Sequence, residues 1–210
     1  MSRETQVRFY ESRWGKFLPA TRLIILLQYQ SDAKRLMEVL PKRFGKCGLT
    51  LHPKKTRLLE FGRFASERRM GKKTETFTFL GLTYYCSQTR NGKFTVKVKT
   101  ASKRLRRSLS RIKEWCRENR HLPIGQQSKE LGVMMRGHYQ YYGRRSNISS
   151  LRKFYRATRR IWQRWLSRRS NNGYVRWDKF HRLIDKYPLP IPRITEGKGG
   201  VQLNFIGDLV

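Results

Sequence analysis

Arginine recurs at every fourth residue through Arg152, Arg156, Arg160, Arg164 and Arg168. On a helix this spacing holds the guanidiniums on one slowly winding stripe about 24 Å long, at 1.5 Å of rise per residue. A guanidinium is always charged and presents a planar fork of donors that grips a phosphate at two points, which a lysine does not do. The stripe therefore suits the phosphates of a duplex or a folded RNA, and since phosphate contacts position a polymer without reading its bases, no sequence preference follows. A merely solvated basic face would need acids to offset it. Residues 101 to 170 hold 20 Lys and Arg against three acids, Glu114, Glu118 and Glu130.

A second group of residues with usable chemistry is the block RGHYQYYG at 136 to 143. Arg136 offers a charge, and an unpaired base could stack on His138, Tyr139 or Tyr142 if those rings are exposed. The same spacing also lets tyrosines close a core between helices, and at least one of them is expected to do so. Catalytic chemistry is not visible. His52, His121, His138 and His181 are isolated, with no HxxxH and no His/Cys pairing of metal-ligand spacing, and no phosphate loop or nucleophile elbow occurs. No two acids are adjacent, whereas two-metal nucleotidyl transfer needs converging carboxylates. Cys47, Cys86 and Cys116 are an odd set without CxxC spacing and read as reduced thiols of a reducing compartment.

These residues must be positioned by local structure. Ala33, Leu36, Met37, Leu40 and Phe44 recur at three and four, which predicts an amphipathic helix from Ser31 that Gly48 stops. Two short strands, Leu49 to Leu51 and Arg57 to Phe61, are expected around a turn at Pro53. The strongest β signal runs from Thr76 to Lys99, with Asn91-Gly92 favouring a type I′ hairpin turn. Past Thr100 the periodicity becomes helical. Leu105, Leu109, Ile112, Trp115 and Cys116 make one apolar stripe with Ser102 as N-cap, and Arg107 and Arg111 stand among the cations around it. Further helices are expected over 126 to 142, 149 to 169 and 177 to 186, the last halted by the prolines at 188, 190 and 192. In the third of these four helices, Leu151, Tyr155, Trp162, Trp165 and Leu166 supply a packed side opposite the arginines. The fold class is α+β, a β-rich first half followed by a mostly helical second half.

Composition narrows the partner. Against 48 Lys and Arg stand 14 Asp and Glu, a formal charge of +34 that a compact protein tolerates best when a polyanion neutralises it. Apolar residues at 38% suffice for one or two small cores, and the longest apolar run, Leu23 to Leu27, is too short to span a bilayer. No membrane partner and a cytoplasmic location are expected.

GLTLHPKKT at 48 to 56, FTFLGLTY at 77 to 84 and RGHYQYYG at 136 to 143 stand in the order seen in the back half of a group II intron reverse transcriptase, and Ser31 to Thr195 resembles that family. The resemblance implies the end of a polymerase palm with its β-hairpins over 31–99, a helical thumb and maturase-specific domain over 100–187, a Pro- and Gly-containing tail over 188–210, and a poorly matching segment over 1–30. It implies that a lysine after the turn, for which Lys54 and Lys55 are the candidates, lies near an incoming nucleotide, and that Phe79, Leu80 and Gly81 form the primer grip. The third block is similar to the maturase-specific Gly-Trp-x-Asn-Tyr-Tyr, with His138 and Gln140 in the tryptophan and asparagine places. The family's Tyr-Ala-Asp-Asp falls on Pro19, Ala20, Thr21 and Arg22, so both metal-binding aspartates are replaced.

The function expected is that of an RNA-binding maturase-type protein. Group II intron RNA is the first partner and a separately encoded palm and fingers fragment the second, with splicing assisted and reverse transcription left to the complete enzyme. No cofactor is expected on this chain, Mg²⁺ being a requirement of the complete polymerase. Two alternatives stay open, an inactive remnant of a reverse transcriptase and a basic structural RNA-binding protein.

Overall fold

In the computed structural model, the structure describes residues 6–12, 21–52, 56–68, 74–170 and 173–195. The chain is α+β and divides into two compact units, Met1–Lys97 and Val98–Val210.

The first unit begins with strand β1 (Gln6–Ser12), which pairs antiparallel with both β2 (Thr21–Leu27) and β3 (Arg57–Glu60), in the order β2–β1–β3. Val7 sits opposite Leu26 on one side and Leu59 on the other. The first thirty residues, which match the resembled family poorly, contribute two of this sheet's three strands. β1 is hard to read because charged residues interrupt its alternation, and a strand of this kind forms through what it pairs with rather than through propensity.

Helix α1 (Gln30–Lys46) follows, ending at Cys47 with Gly48 in the left-handed conformation at φ 69°. The expected strand at Leu49–Leu51 is reduced to a single bridge at Leu51, and a short helix α2 (Arg63–Arg68), which the sequence did not announce, follows β3. The turn at Pro53, with Lys54 and Lys55, lies outside the described residues.

The segment with the strongest β signal forms β4 (Phe77–Phe79), β5 (Leu82–Gln88) and β6 (Phe94–Thr100), in the order β4–β5–β6. The type I′ geometry expected at Asn91-Gly92 is found instead at Leu80-Gly81. Leu80 and Gly81, between β4 and β5, both have positive φ, 48° and 79°, as a type I′ turn demands. At the other end Gly92 alone is left-handed, at φ 73°. There Gly92 N–H donates to Thr89 O at 3.2 Å and Thr89 N–H to Lys93 O at 2.8 Å. Arg90, Asn91 and Gly92 thus form a three-residue loop with one left-handed glycine, so the type I′ turn expected at Asn91-Gly92 is absent. The boundary between the two units falls inside β6.

The second unit is helical: α3 (Ser102–Glu118), α4 (Ile124–Tyr142), a 3₁₀ turn at Arg145–Asn147, α5 (Ile148–Leu166) and α6 (Trp177–Lys186). Ser102 is the first residue of α3 rather than its cap, a place taken by Ala101, with no side-chain bond to the helix end. The core joins Ile112 and Cys116 of α3 to Leu131, Met135 and Tyr139 of α4, to Leu151, Phe154, Trp162 and Leu166 of α5, and to Phe180 of α6.

Two buried amide side chains in this unit are fully engaged, as the low dielectric favours. Gln127 Oε1 accepts from Trp162 Nε1 at 2.9 Å while its Nε2 donates to Leu122 O at 2.8 Å. Fully buried Asn147 accepts from Thr100 N–H and donates to Thr100 Oγ1 and Tyr142 O, each at 2.8 Å. The stretch after α6 is not a free tail over its described length. Ser128 Oγ donates to Tyr187 O at 3.2 Å, Tyr139 OH to Pro190 O at 3.2 Å, and Thr195 Oγ1 to Tyr139 O at 3.0 Å, which straps residues 187–195 along α4. Among the described residues, no helix is long and apolar enough to cross a membrane.

Candidate nucleic-acid interface

The side chains of α5 are sorted by their spacing. Leu151, Phe154, Thr158, Trp162, Trp165 and Leu166 are buried at intervals of three and four, and the helix is held by that face. Arg152, Arg156, Arg160, Arg164 and Arg168 stay on the exposed side, and no acid occurs within α5. Lys153, Arg156, Arg160 and Arg164 line a shallow open trough of ≈ 420 Å³ floored by Ala157 and Ile161. A groove with cationic walls and an apolar floor fits a sugar-phosphate chain, since several guanidiniums can meet successive phosphates while the methylene stems cover the sugar.

Neighbouring arginines serve the fold instead. Arg159 is half-buried, with its guanidinium 5.6 Å from the centre of the Tyr155 ring, and Arg169 donates to Leu122 O at 2.6 Å. Arg168 lies 5.1 Å from the Trp165 ring, a cation–π contact that leaves it on the surface and pre-oriented. On α3, Arg107 and Arg111 are exposed as expected, while Arg117 is shared between Glu114 at 3.9 Å and Glu118 at 3.8 Å.

The aromatic block on α4 requires a correction. His138 and Tyr139 are 9% and 2% exposed, so neither ring can receive an unpaired base. His138 stacks on Phe154 with ring centres 3.8 Å apart and 14° between planes, and leans on Tyr142 at 4.7 Å. Burial lowers its pKa to about 4, so the imidazole is neutral near pH 7. Burial also holds the Tyr139 phenol well above its ordinary value, with Tyr155 adding to the effect, and its hydroxyl bonds Pro190 as described. Tyr142 is half-buried and its pKa is likewise raised, chiefly by burial. The rings are inside because Leu131, Met135, His138, Tyr139 and Tyr142 continue one three-and-four series. The opposite series, Val133, Gly137 and Tyr141, is outside, and Tyr141 is 53% exposed. Arg136 is exposed as expected.

In the first unit, Phe79 is half-buried, Gly81 buried and Leu80 56% exposed at the tip of the β4–β5 turn. A leucine in the left-handed region is strained by roughly 1–2 kcal/mol. Strain of this kind persists where the surroundings impose it, and it clusters at functional positions. Thr21 and Arg22 open β2, paired with Ser12 and Glu11 of β1. Among the described residues no three His, Cys, Asp or Glu side chains converge on a point where a metal could sit. The Cys116 thiol is buried and its pKa pushed up to about 12, which makes it unreactive, and Cys47 and Cys86 are free.

No protein-family model matches the chain, and no curated protein matches it.

Proposed function

We propose that this chain is an RNA-binding protein of the group II intron maturase type, whose helical unit holds intron RNA by its phosphates. In this role it assists folding and splicing of that RNA and supports reverse transcription by the complete enzyme. The observation that carries the reading is the exposed, acid-free arginine row of α5, backed by a tryptophan-anchored core that keeps the row straight and in place. A stripe without internal counter-ions requires external ones, and in a chain of formal charge +34 a polyanion supplies them. Further support comes from the strained, exposed Leu80 in the segment similar to a primer grip, and from the order of the three sequence blocks.

In this reading α5 contributes affinity and orientation, because phosphate contacts carry no base information. Replacing Arg156, Arg160 and Arg164 together by Gln tests the reading, since glutamine retains helix propensity and the buried face is untouched. Filter binding with a structured intron RNA should show a loss of about 10–100-fold and a salt slope shallower by about one per contact removed. Unchanged affinity with an unchanged circular dichroism spectrum would mean that the row is only a solvated face.

A further inference from the structure

A base can stack only on a ring that the fold leaves open, and two such rings lie past the end of α5. Tyr174 is 70% exposed and Trp177, the first residue of α6, is 41% exposed, high values for aromatic side chains. Both follow a tight turn, in which a Cβ on Gly173 would lie 2.5 Å from Ser170 Oγ. Val175 then fastens the loop to the flank of α5. Its N–H donates to Ser167 Oγ at 3.0 Å, and its carbonyl accepts from Gln163 Nε2 at 2.6 Å. Ser167 continues the helical backbone of α5, with φ −66° and ψ −14°. At 3.6 residues per turn, Arg160 and Arg164 stand about 20° and 60° from Ser167 around the helix axis. The loop that bears Tyr174 is therefore seated beside the far end of the arginine row.

Trp177 is held from below. Its ring meets that of the fully buried Phe180 edge-on, with centres 5.5 Å apart and 83° between planes, and lies 6.0 Å from the His181 ring. The indole is thus anchored on the core and still open to solvent. A rigid ring fixed in this way loses little freedom when something stacks on it. The fold gains little from an aromatic side chain at position 174, where most of the ring faces water.

We infer that Tyr174 and Trp177 form a stacking site for unpaired bases of the RNA whose phosphates lie on α5. Charge selects the occupant. Residues 173–186 hold four Lys and Arg against two acids, Asp178 and Asp185, and Asp178 lies in the first turn of α6, where the helix end attracts a negative charge. The arginine row beside the loop calls for phosphates. A protein partner, or a second copy of this +34 chain, would have to bring acids to the row and a separate apolar group to the rings, whereas one unpaired nucleotide brings a phosphate and a π-face joined by a sugar. Inside a duplex both faces of a base are covered by its neighbours, so the rings admit only the bases of a loop, a bulge or a strand end. Stacking accepts any base, and no sequence preference follows. This inference rests on the RNA-binding reading above and adds which part of the RNA is held, an unpaired stretch next to the structure that α5 grips by its phosphates.

The test titrates the full chain and its Tyr174→Leu and Trp177→Leu variants with a hairpin RNA that carries an adenosine bulge and with the same hairpin lacking the bulge. Leucine keeps apolar bulk and removes the ring, and at the exposed position 174 it should leave the melting temperature unchanged. Wild type should prefer the bulged hairpin by about tenfold, and Tyr174→Leu should lose most of that preference while binding the plain hairpin as before. Trp177→Leu should do the same, with a small drop in melting temperature from the lost Phe180 contact. The α5 triple variant should weaken both RNAs alike. If wild type binds the two hairpins equally, or if Tyr174→Leu keeps the preference, this inference fails, and a weakened α5 triple variant leaves the RNA-binding reading standing. If neither hairpin binds at low salt, both fail. Self-association in sedimentation that Tyr174→Leu abolishes would assign the rings to a second copy and also overturn the inference.

Discussion

The imidazole of His138 lies 3.8 Å from the Phe154 ring and its Nε2 is buried without a hydrogen-bond partner, so the folded protein holds the neutral form. The pKa falls from 6.5 to about 4 on folding, and its linkage to stability has a definite sign. Above pH 6.5 both folded and unfolded chains carry the neutral ring and the contribution is fully present. As the pH falls below 6.5 the unfolded chain takes up the proton first, and stability drops by up to about 1.4 kcal/mol per pH unit until the folded ring also titrates. Denaturant unfolding at pH 7 and pH 5 should therefore differ by about 2 kcal/mol through this residue, and His138→Phe should remove that difference. An equal pH dependence in the variant would show that other groups carry it. The sequence offered His138 and Tyr139 as nucleic-acid contacts because an unpaired base stacks on an exposed ring. Only the helical series that includes Leu131 and Met135 reveals that they point inward, and that series takes its meaning from a core assembled by distant helices.

The elements that were legible are those whose signals are local. The bounds of α6, Trp177–Lys186, follow from its amphipathic run and the prolines after it, and α3 and α1 follow from spacing and from Gly48. β1 and α2 were not legible, since β1 depends on pairing with β2 and β3, and α2 has only six residues. The arginine row was legible from its spacing, although α5 ends at Leu166 and Arg168 lies just past it, whereas the exposed face of α4 was hidden until the buried one was known. The turns show the same limit. Asn91-Gly92 has the residues of a type I′ turn and does not form one, because Arg90 joins the loop, while Leu80-Gly81 lacks those residues and does. Since left-handed backbone costs glycine almost nothing, Leu80→Gly should raise stability by roughly 1 kcal/mol, measured by thermal or denaturant unfolding. A fall in stability would show that the Leu80 side chain supports the fold by more than its backbone strains it.

At the scale of the whole molecule the charge dominates. The first unit has a small core built on Leu59, Phe61, Ala65 and Leu82, the second a larger one around Trp162 and Phe154, and together they carry a formal +34. Repulsion on that scale weakens the compact state and a bound polyanion relieves it, so the proposed RNA partner should stabilise the fold as it binds. Cations that meet phosphates release condensed counter-ions, and that release sets the salt dependence of the affinity. Filter binding of the full chain to a structured intron RNA at a series of salt concentrations is the most direct measurement. With roughly six or more phosphates engaged, affinity should fall by about 10³-fold or more between 50 and 200 mM salt. An affinity that stays flat over that range would contradict the account.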